Sequence, residues 1–250
     1  MPIPYAPDKS WNWMTGCTKE SEGCVNCWAE ETVQRHKDLP GYSHDKPFTV
    51  TFHPKRVEQP LHWRKPSVIA ECLMGDQYHK DVPRPWRNAA WAVKRDCPRH
   101  TFIACTKRPL CMVAEVMRLQ NTPQAGMLGQ VKRLENVWHG ISVENQKTAD
   151  NRVPFVEHVD EGWLSCEPML GPIDWPTEFY YAKGVIVGAE SGPNARPFDP
   201  KWAEVTLEAC RRSGTKFYLK QLPTSMGGAN WDKWPESLKH LKVRQLPWKL

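Results

Sequence analysis

Short runs of apolar, mainly β-branched residues recur along the chain, and each run ends in a small or polar group. Runs of this length, bounded by turn residues, are typical of buried strands. We predict six such strands, which lie within residues 68–76, 101–109, 137–145, 163–171, 184–192 and 216–222.

Stretches with a helical pattern lie between several of these runs, at residues 85–96, 109–120 and 200–214. The last has a proline in its first turn and ends in glycine, as helices commonly do. Strands that alternate with helices pair in parallel through right-handed crossover connections. The pattern therefore predicts an α/β domain with mainly parallel strands. Residues 29–39 are expected to form a further helix, and residues 48–56 a short extended run.

The number of β-units and the missing motifs favour a TIM-like barrel over a doubly wound sheet. Six or seven units follow one another, and neither the G-x-G-x-x-G dinucleotide motif nor the G-x-x-x-x-G-K-[ST] phosphate motif is present. We predict a partial or full (β/α)6-7 barrel in residues 1–222. A Trp-, Lys- and Pro-rich extension, residues 223–250, is expected to pack on the barrel.

Polar side chains mark the ends of the predicted strands. In a barrel, the loops after the C-terminal strand ends carry the chemistry. Several of the polar residues at the predicted strand ends are followed at once by Gly or Pro turn residues. The complete set of polar strand-end residues is Asp76, Thr106, Lys107, Arg108, Ser142, Glu144, Glu167, Glu190, Ser191 and Lys220. Either they are aimed at a common site, or they are polar because they reach solvent.

Composition restricts the compartment and the class of protein. Of 250 residues, 40% are hydrophobic, and no apolar run is long enough to cross a bilayer. The start of the chain lacks the basic and apolar regions of a secretory signal. We therefore expect a cytoplasmic protein with no membrane partner. Nine cysteines, an odd number in a reducing compartment, argue against a disulfide framework.

The net charge of +6 and the thirteen tryptophans bear on the partner. The basic residues are scattered along the chain, and indoles can stack on nucleobases. Both features are compatible with an anionic substrate or nucleic acid. Ordinary solvated side chains and indoles that fill a core would give the same composition.

Three thiols lie close together at Cys17, Cys24 and Cys27, in a C-x6-C-x2-C pattern. If residues 10–17 form the first strand, Cys17 ends it and the following loop lies over the barrel mouth. Three thiolates suit a [4Fe–4S] cluster with one open iron, whereas His36 as a fourth ligand would complete a zinc site. Chance spacing without a metal is the third possibility. The remaining cysteines stand singly and are expected to be buried: Cys72, Cys97, Cys105, Cys111, Cys166 and Cys210.

A three-cysteine loop after the first strand of an α/β barrel resembles the radical S-adenosylmethionine (radical SAM) superfamily. The common pattern there is C-x3-C-x2-C with an aromatic residue between the last two cysteines. This chain has three extra residues in the first gap, and Val25 and Asn26 in the second. More closely, it resembles a bacteriophage-encoded family of radical SAM-like proteins of unknown function. The likeness spans nearly the whole chain through eight ordered segments: WNWMTGCTKESEGCVNCWAE, FTVTFHPKR, MGDQYHKDVP, CTKRP, WHGISVENQ, LSCEPMLGPID, VIVGAESGPNARP and FYLKQ.

The resemblance implies that Cys17, Cys24 and Cys27 hold a [4Fe–4S] cluster whose open iron binds S-adenosyl-L-methionine (SAM). One electron, from a donor such as flavodoxin or ferredoxin, then cleaves SAM to a radical that abstracts hydrogen from the substrate. The cofactor would be bound by residues after the second and fourth strands: Met74, Gly75, Asp76, Ser142 and Glu144. Other strand ends are left for SAM or substrate, and of these we expect Lys107, Glu167 and Glu190 to be catalytic.

The family association further implies a substrate in nucleotide or DNA modification. We expect an isomerase-type rearrangement of amino-acid-modified thymine in phage DNA, in the host cytoplasm. A radical SAM lyase that repairs a DNA lesion would share every feature named above. A non-catalytic zinc protein that binds nucleic acid would instead need a fourth zinc ligand. The sequence makes no prediction of oligomeric state.

Overall fold

The computed structural model describes residues 8–36, 42–43, 45–121 and 134–248. Among these residues it contains nine strands and six α-helices. The strands are β1 (Lys9–Trp11), β2 (Met14–Thr15), β3 (Thr51–Phe52), β4 (Val68–Glu71), β5 (Thr101–Thr106), β6 (Val137–Ser142), β7 (Gly162–Cys166), β8 (Gly184–Gly188) and β9 (Lys216–Gln221). The α-helices are α1 (Trp28–Arg35), α2 (Pro54–Val57), α3 (Arg84–Asp96), α4 (Pro109–Asn121), α5 (Gln146–Arg152) and α6 (Pro200–Ser213). Short 3₁₀ helices occur at Glu22–Cys24, Gln59–His62, Val153–His158, Thr177–Tyr181, Thr224–Met226, Trp231–Lys233 and Glu236–Leu241.

Seven strands form one parallel sheet in the order β1-β4-β5-β6-β7-β8-β9. This order follows the chain, as in an α/β barrel, but β1 and β9 remain edge strands, so the topology is that of a partial barrel. β2 and β3 form a separate antiparallel pair. The predicted α/β fold with mainly parallel strands is confirmed.

The predicted strands and helices after residue 56 agree with the structure, but of the extended run expected at residues 48–56 only Thr51–Phe52 is a strand, and Pro54–Val57 is helix α2. Each of the six predicted runs contains a strand, and the three predicted helices correspond to α3, α4 and α6. Helix α6 begins at Asp199, whose carboxylate accepts a hydrogen bond from the backbone N–H of Lys201, and ends at Gly214 with φ +73°. Of the helix predicted at residues 29–39, residues 37–39 lie outside the described part of the chain, and α1 ends before them.

The prediction of one strand over residues 10–17 is wrong. β1 ends at Trp11, and the next residues leave the main sheet because they pair with β3 instead. The backbone N–H of His53 donates to the carbonyl of Trp13 at 2.8 Å. Cys17 therefore follows a short antiparallel pair rather than a strand of the main sheet.

By their contacts the described residues divide into two units. The first takes those within Met1–Lys19 and Cys27–His139, and the second those within Glu20–Asn26 and Gly140–Lys249. Each has a core of its own. No helix in the described ranges combines the length and the apolar character needed to span a bilayer.

The core of the first unit is aromatic and encloses an ion pair. Trp11 packs against Phe102 with ring centroids 5.5 Å apart. Beside them, both carboxylate oxygens of Glu71 lie 3.1 Å from the ammonium of Lys94, and the indole N–H of Trp13 donates to Glu71 at 2.9 Å. Glu71 ends β4, so this network fixes the strand end from which the next loop departs.

The second unit is built on β7, β8 and β9, with the C-terminal segment packed against them. Every residue of β7 and β8 is buried. The backbone N–H of Leu219 donates to Val243, and that of Gln245 donates to Phe217, at 3.2 and 2.9 Å. The ring of Trp248 lies 5.2 Å from that of Trp163. The boundary at residue 222 between barrel and extension stays a prediction.

Candidate functional site

The loop after β4, Cys72–Asp76, begins in a strained conformation. Cys72 has φ +52°, in the left-handed region that non-glycine residues rarely adopt. Its backbone carbonyl accepts a hydrogen bond from the N–H of Gly75 at 3.0 Å, which closes a tight turn. The Cys72 side chain is buried, and burial raises the pKa of its thiol well above the ordinary value. It is a neutral structural thiol.

This loop lies directly against the residues that precede Cys17. The N–H of Gly16 donates to the carbonyl of Met74 at 2.9 Å, and the N–H of Met74 donates to the side chain of Asn12 at 3.0 Å. A Cβ on Gly75 would lie 2.7 Å from the carbonyl oxygen of Gly16, too close for any side chain. Backbone contact thus fixes the predicted cofactor loop beside the first cysteine.

Asp76, at the end of this loop, is buried and fully hydrogen-bonded. Its carboxylate accepts hydrogen bonds from the hydroxyl of Thr106 at 2.8 Å, from the guanidinium of Arg108 at 2.8 Å and from the N–H of Tyr78 at 2.9 Å. Thr106 and Arg108 follow β5, the neighbour of β4 in the sheet. The ends of two parallel strands therefore converge on one carboxylate.

Arg108 links Asp76 to the first cysteine. Its Nη1 lies 3.4 Å from Sγ of Cys17, and its Nη2 donates to the carbonyl of Thr18 at 2.9 Å. The ion pair with Asp76 holds the guanidinium in place, and its side chain is only 10% exposed. A fixed positive charge beside a sulfur atom is the environment in which proteins stabilise thiolates.

A buried histidine completes this part of the site. Nε2 of His79 lies 2.8 Å from the hydroxyl of Thr18, and Nδ1 accepts the N–H of Asp81 at 3.1 Å. Burial, and after it the charge of Arg108, lowers the pKa of His79, so the ring is neutral at pH 7. The ring proton therefore sits on Nε2 and is donated to Thr18.

A cavity of about 490 Å³ opens beside Cys17. Its lining includes Thr18, Glu30, Lys46 and Asp81, so it presents both signs of charge. Cys17 is half-exposed and belongs to the lining of this cavity.

The three predicted metal ligands, Cys17, Cys24 and Cys27, are half-exposed, and none of them forms a disulfide. Cys24 lies in the 3₁₀ helix Glu22–Cys24, and Cys27 immediately precedes α1. Within residues 8–36, 42–43, 45–121 and 134–248, no three His, Cys, Asp or Glu side chains are assembled to hold a metal ion. Three half-exposed thiols fit an iron–sulfur cluster in the chemistry of the donor set.

In the second unit, Glu144 follows β6 and is completely buried. Its carboxylate pairs with Arg152 at 3.1 Å and accepts the hydroxyl of Ser21 at 2.7 Å. Arg152 also donates to the carbonyl of Ser142 at 2.8 Å. A Cβ on Gly23 would lie 2.5 Å from the Glu144 carboxylate, which shows how closely the segment around Cys24 is packed on it.

Glu190, two residues after β8, is held by Arg196. Nε of Arg196 donates to its carboxylate at 2.9 Å, and the side-chain amide of Asn26 donates at 3.0 Å. Burial alone would raise the pKa of Glu190, but the hydrogen bonds from Arg196 and Asn26 outweigh it and hold the pKa below its usual value. The carboxylate is ionised at pH 7.

The other two residues predicted to be catalytic are Glu167 and Lys107. Glu167, after β7, forms an ion pair with Lys220 of β9 at 2.9 Å. Lys107, after β5, is half-buried. The structure thus brings Met74, Gly75 and Asp76 together with Cys17 in the first unit, and groups Ser142 with Glu144 in the second. Sequence reasoning missed His79, Ser21, Asn26 and Arg196, all of which contact predicted site residues or their neighbours.

Comparison with known proteins gives a family and no closer relative. Neither the curated proteins nor the solved structures yield a significant match. A family model, described as "Protein of unknown function (DUF5131)", matches residues 2–240, which is almost the entire chain. The protein therefore belongs to the DUF5131 family.

Proposed function

We propose that this protein is a radical SAM-type enzyme in which Cys17, Cys24 and Cys27 bind a [4Fe–4S] cluster. The observation that carries the proposal is the set of three half-exposed thiols, none of them in a disulfide, within one short segment. The Arg108 guanidinium beside the sulfur of Cys17 supports it, because cluster ligands are thiolates.

When bound, such a cluster supplies the electron that breaks the sulfonium bond of SAM. The residues of the chain have orienting roles in this proposal. The backbone contact between Gly16 and Gly75 keeps the loop after β4 beside Cys17, which supports assigning Met74, Gly75 and Asp76 to the binding of the cofactor. After β6, Ser142 remains the candidate for the ribose or the carboxylate of SAM, whereas Glu144 is already paired with Arg152 and hydrogen-bonded to Ser21.

For the substrate, we infer a modified nucleobase in DNA. The proposal rests on the family resemblance, and the net charge of +6 is compatible with an anionic polymer. The reaction would be an isomerase-type rearrangement of amino-acid-modified thymine, with flavodoxin or ferredoxin as electron donor. Lys107 and Glu167 are the side chains that we assign to substrate contact or proton transfer.

Iron content tests the first part of the proposal. We expect anaerobically purified protein to be brown, with about four irons and four sulfides per chain. Cys24→Ala should lose most of the iron. Cys111→Ala should keep it; this cysteine lies on α4 and is exposed, so the expectation that it is buried is wrong. Addition of SAM should change the visible or electron paramagnetic resonance spectrum. A colourless protein that binds zinc and ignores SAM would overturn the proposal.

Product analysis tests the second part. With reconstituted protein, a reductant, SAM and DNA that carries amino-acid-modified thymine, we expect a nucleoside of unchanged mass but different retention time. A product of lower mass would contradict isomerisation and indicate a lyase. Cleavage of SAM with no change in any such DNA would exclude this substrate class.

A further inference from the structure

The segment that carries Cys24, residues Ser21–Asn26, has little structure of its own. It contains one 3₁₀ turn, closed by hydrogen bonds from the N–H of Cys24 to Ser21 and from the N–H of Val25 to Glu22, at 2.9 and 3.1 Å. None of the residues Glu22–Cys24 is buried. A single turn without buried side chains is not stable in isolation. Contacts with other elements must therefore hold it.

The first anchor is Glu144. The hydroxyl of Ser21 donates to its carboxylate at 2.7 Å, and Gly23 lies against it without room for a side chain. Glu144 is itself fixed, because it is 1% exposed and paired with Arg152. A charged acceptor held this rigidly makes a stronger hydrogen bond than a mobile or neutral one.

The second anchor is Glu190 with Arg196. The side-chain amide of Asn26 donates both to Glu190 and to the carbonyl of Asn194, at 3.0 and 2.9 Å. Arg196, which pairs with Glu190, donates a further hydrogen bond to the carbonyl of Glu22 at 2.9 Å. Both ends of the segment are thus tied to carboxylates that follow strands β6 and β8.

We propose that Glu144 and Glu190 are positioning residues, which hold the segment Ser21–Asn26 and thereby fix the place of Cys24. This role differs from cofactor binding and catalysis, which the resemblance to radical SAM proteins implied for these two carboxylates. Only the function of Cys24 as a cluster ligand rests on the proposed function. The anchoring itself is a property of the metal-free chain.

Hydrogen exchange of the amides of Cys24 and Val25 in metal-free protein tests the anchoring directly. The variants Ser21→Ala and Asn26→Ala remove the donors and leave each carboxylate paired with its arginine, so the fold should persist. A hydrogen bond to a charged group stabilises the segment enough that its loss in each variant should increase the exchange rate about tenfold. The double variant should exchange faster still. Ser21→Thr keeps the hydroxyl and should retain slow exchange.

Asn151→Ala provides the matched control. It removes an amide that donates within α5 to Lys147, in the same unit but without contact to the segment. Exchange at Cys24 and Val25 should then equal that of the unmodified protein. Unchanged exchange in Ser21→Ala/Asn26→Ala would overturn the proposal.

A second readout connects anchoring to the cluster. In reconstituted protein, the double variant should shift the midpoint potential or the electron paramagnetic resonance signal, and Ser21→Thr should leave both unchanged. If the double variant exchanges faster than the unmodified protein, but the unmodified protein binds no cluster, the anchoring stands and only the proposed function is refuted. Slow exchange and an unshifted signal in an iron-containing double variant would refute the anchoring alone.

Discussion

Loss of the buried ion pair between Glu71 and Lys94 should destabilise the protein strongly. Both side chains are at most 2% exposed, and both carboxylate oxygens lie 3.1 Å from the ammonium. Lys94→Met keeps the length of the side chain and removes its charge, so a carboxylate is left buried without a counter-ion. Breaking a buried pair in this way costs about 3–5 kcal/mol, a large fraction of the roughly 5–15 kcal/mol by which domains are stable.

The double variant Glu71→Gln/Lys94→Met separates charge from packing. It removes both charges and keeps an acceptor for the indole N–H of Trp13, which now donates to Glu71 at 2.9 Å. The cation–π contact of Lys94 with Trp91 is lost in both variants and cancels in the comparison. We expect the double variant to recover about 1–3 kcal/mol relative to Lys94→Met.

Urea unfolding followed by tryptophan fluorescence gives the free energy of unfolding of each variant. Lys239→Met, which breaks the exposed pair with Glu236, is the control and should cost less than about 1 kcal/mol. The reasoning is refuted if Lys94→Met costs no more than this control, or if the double variant is as unstable as the sum of its single substitutions. If Lys94→Met fails to fold, folding of the double variant alone would still establish the coupling.

Three further substitutions test other parts of the structure. Gly75→Ala places a methyl group 2.7 Å from the carbonyl oxygen of Gly16, and should lower the free energy of unfolding by about 1–3 kcal/mol; Gly171→Ala, whose nearest neighbour is 3.5 Å away, should not. Burial lowers the pKa of His53 from 6.5 to about 4. The folded state therefore favours the neutral ring. The free energy of unfolding is not reduced by this effect above pH 6.5, and it declines by at most about 3 kcal/mol as the pH falls to 4. His53→Gln should flatten that part of the pH profile in urea unfolding, and an unchanged slope would contradict the assignment. Asp199→Ala should cost about 1 kcal/mol in thermal unfolding and Asp199→Asn much less, because only the former removes the helix cap.

The strands could be predicted from sequence because their environment is simple. β8, Gly184–Gly188, is buried on both faces, and such a strand is a continuous apolar run between turn residues. The break after Trp11 could not be predicted. Its cause is long-range: the indole of Trp13 reaches Glu71, fifty-eight residues later, and its carbonyl pairs with His53. No local pattern shows a partner at that distance.

The strand-end residues of the candidate site could be predicted from the sequence, but most of the hydrogen bonds and ion pairs that join them to other residues could not. Asp76 and Arg108 could be selected because neighbouring parallel strands end at one edge, and the structure places them 2.8 Å apart. The hydrogen bond from the Ser21 hydroxyl to Glu144 joins two residues that are 123 positions apart, and no sequence motif marks either of them as a partner of the other. The pair of Glu190 with Arg196 is local, six residues apart, and an acid–base spacing in a glycine- and proline-rich loop was the signal that could have revealed it.

The C-terminal segment also affects the way in which the protein would aggregate. Residues 243–245 occupy backbone positions on β9, which is the last strand of the sheet and would otherwise have unpaired N–H and C=O groups. An uncovered edge strand is a template for pairing with another chain. If heat or proteolytic cleavage detached this segment, the unpaired backbone groups of β9 would be exposed and could pair with another chain, while the strands of the sheet remain folded. Aggregation would then precede the loss of secondary structure.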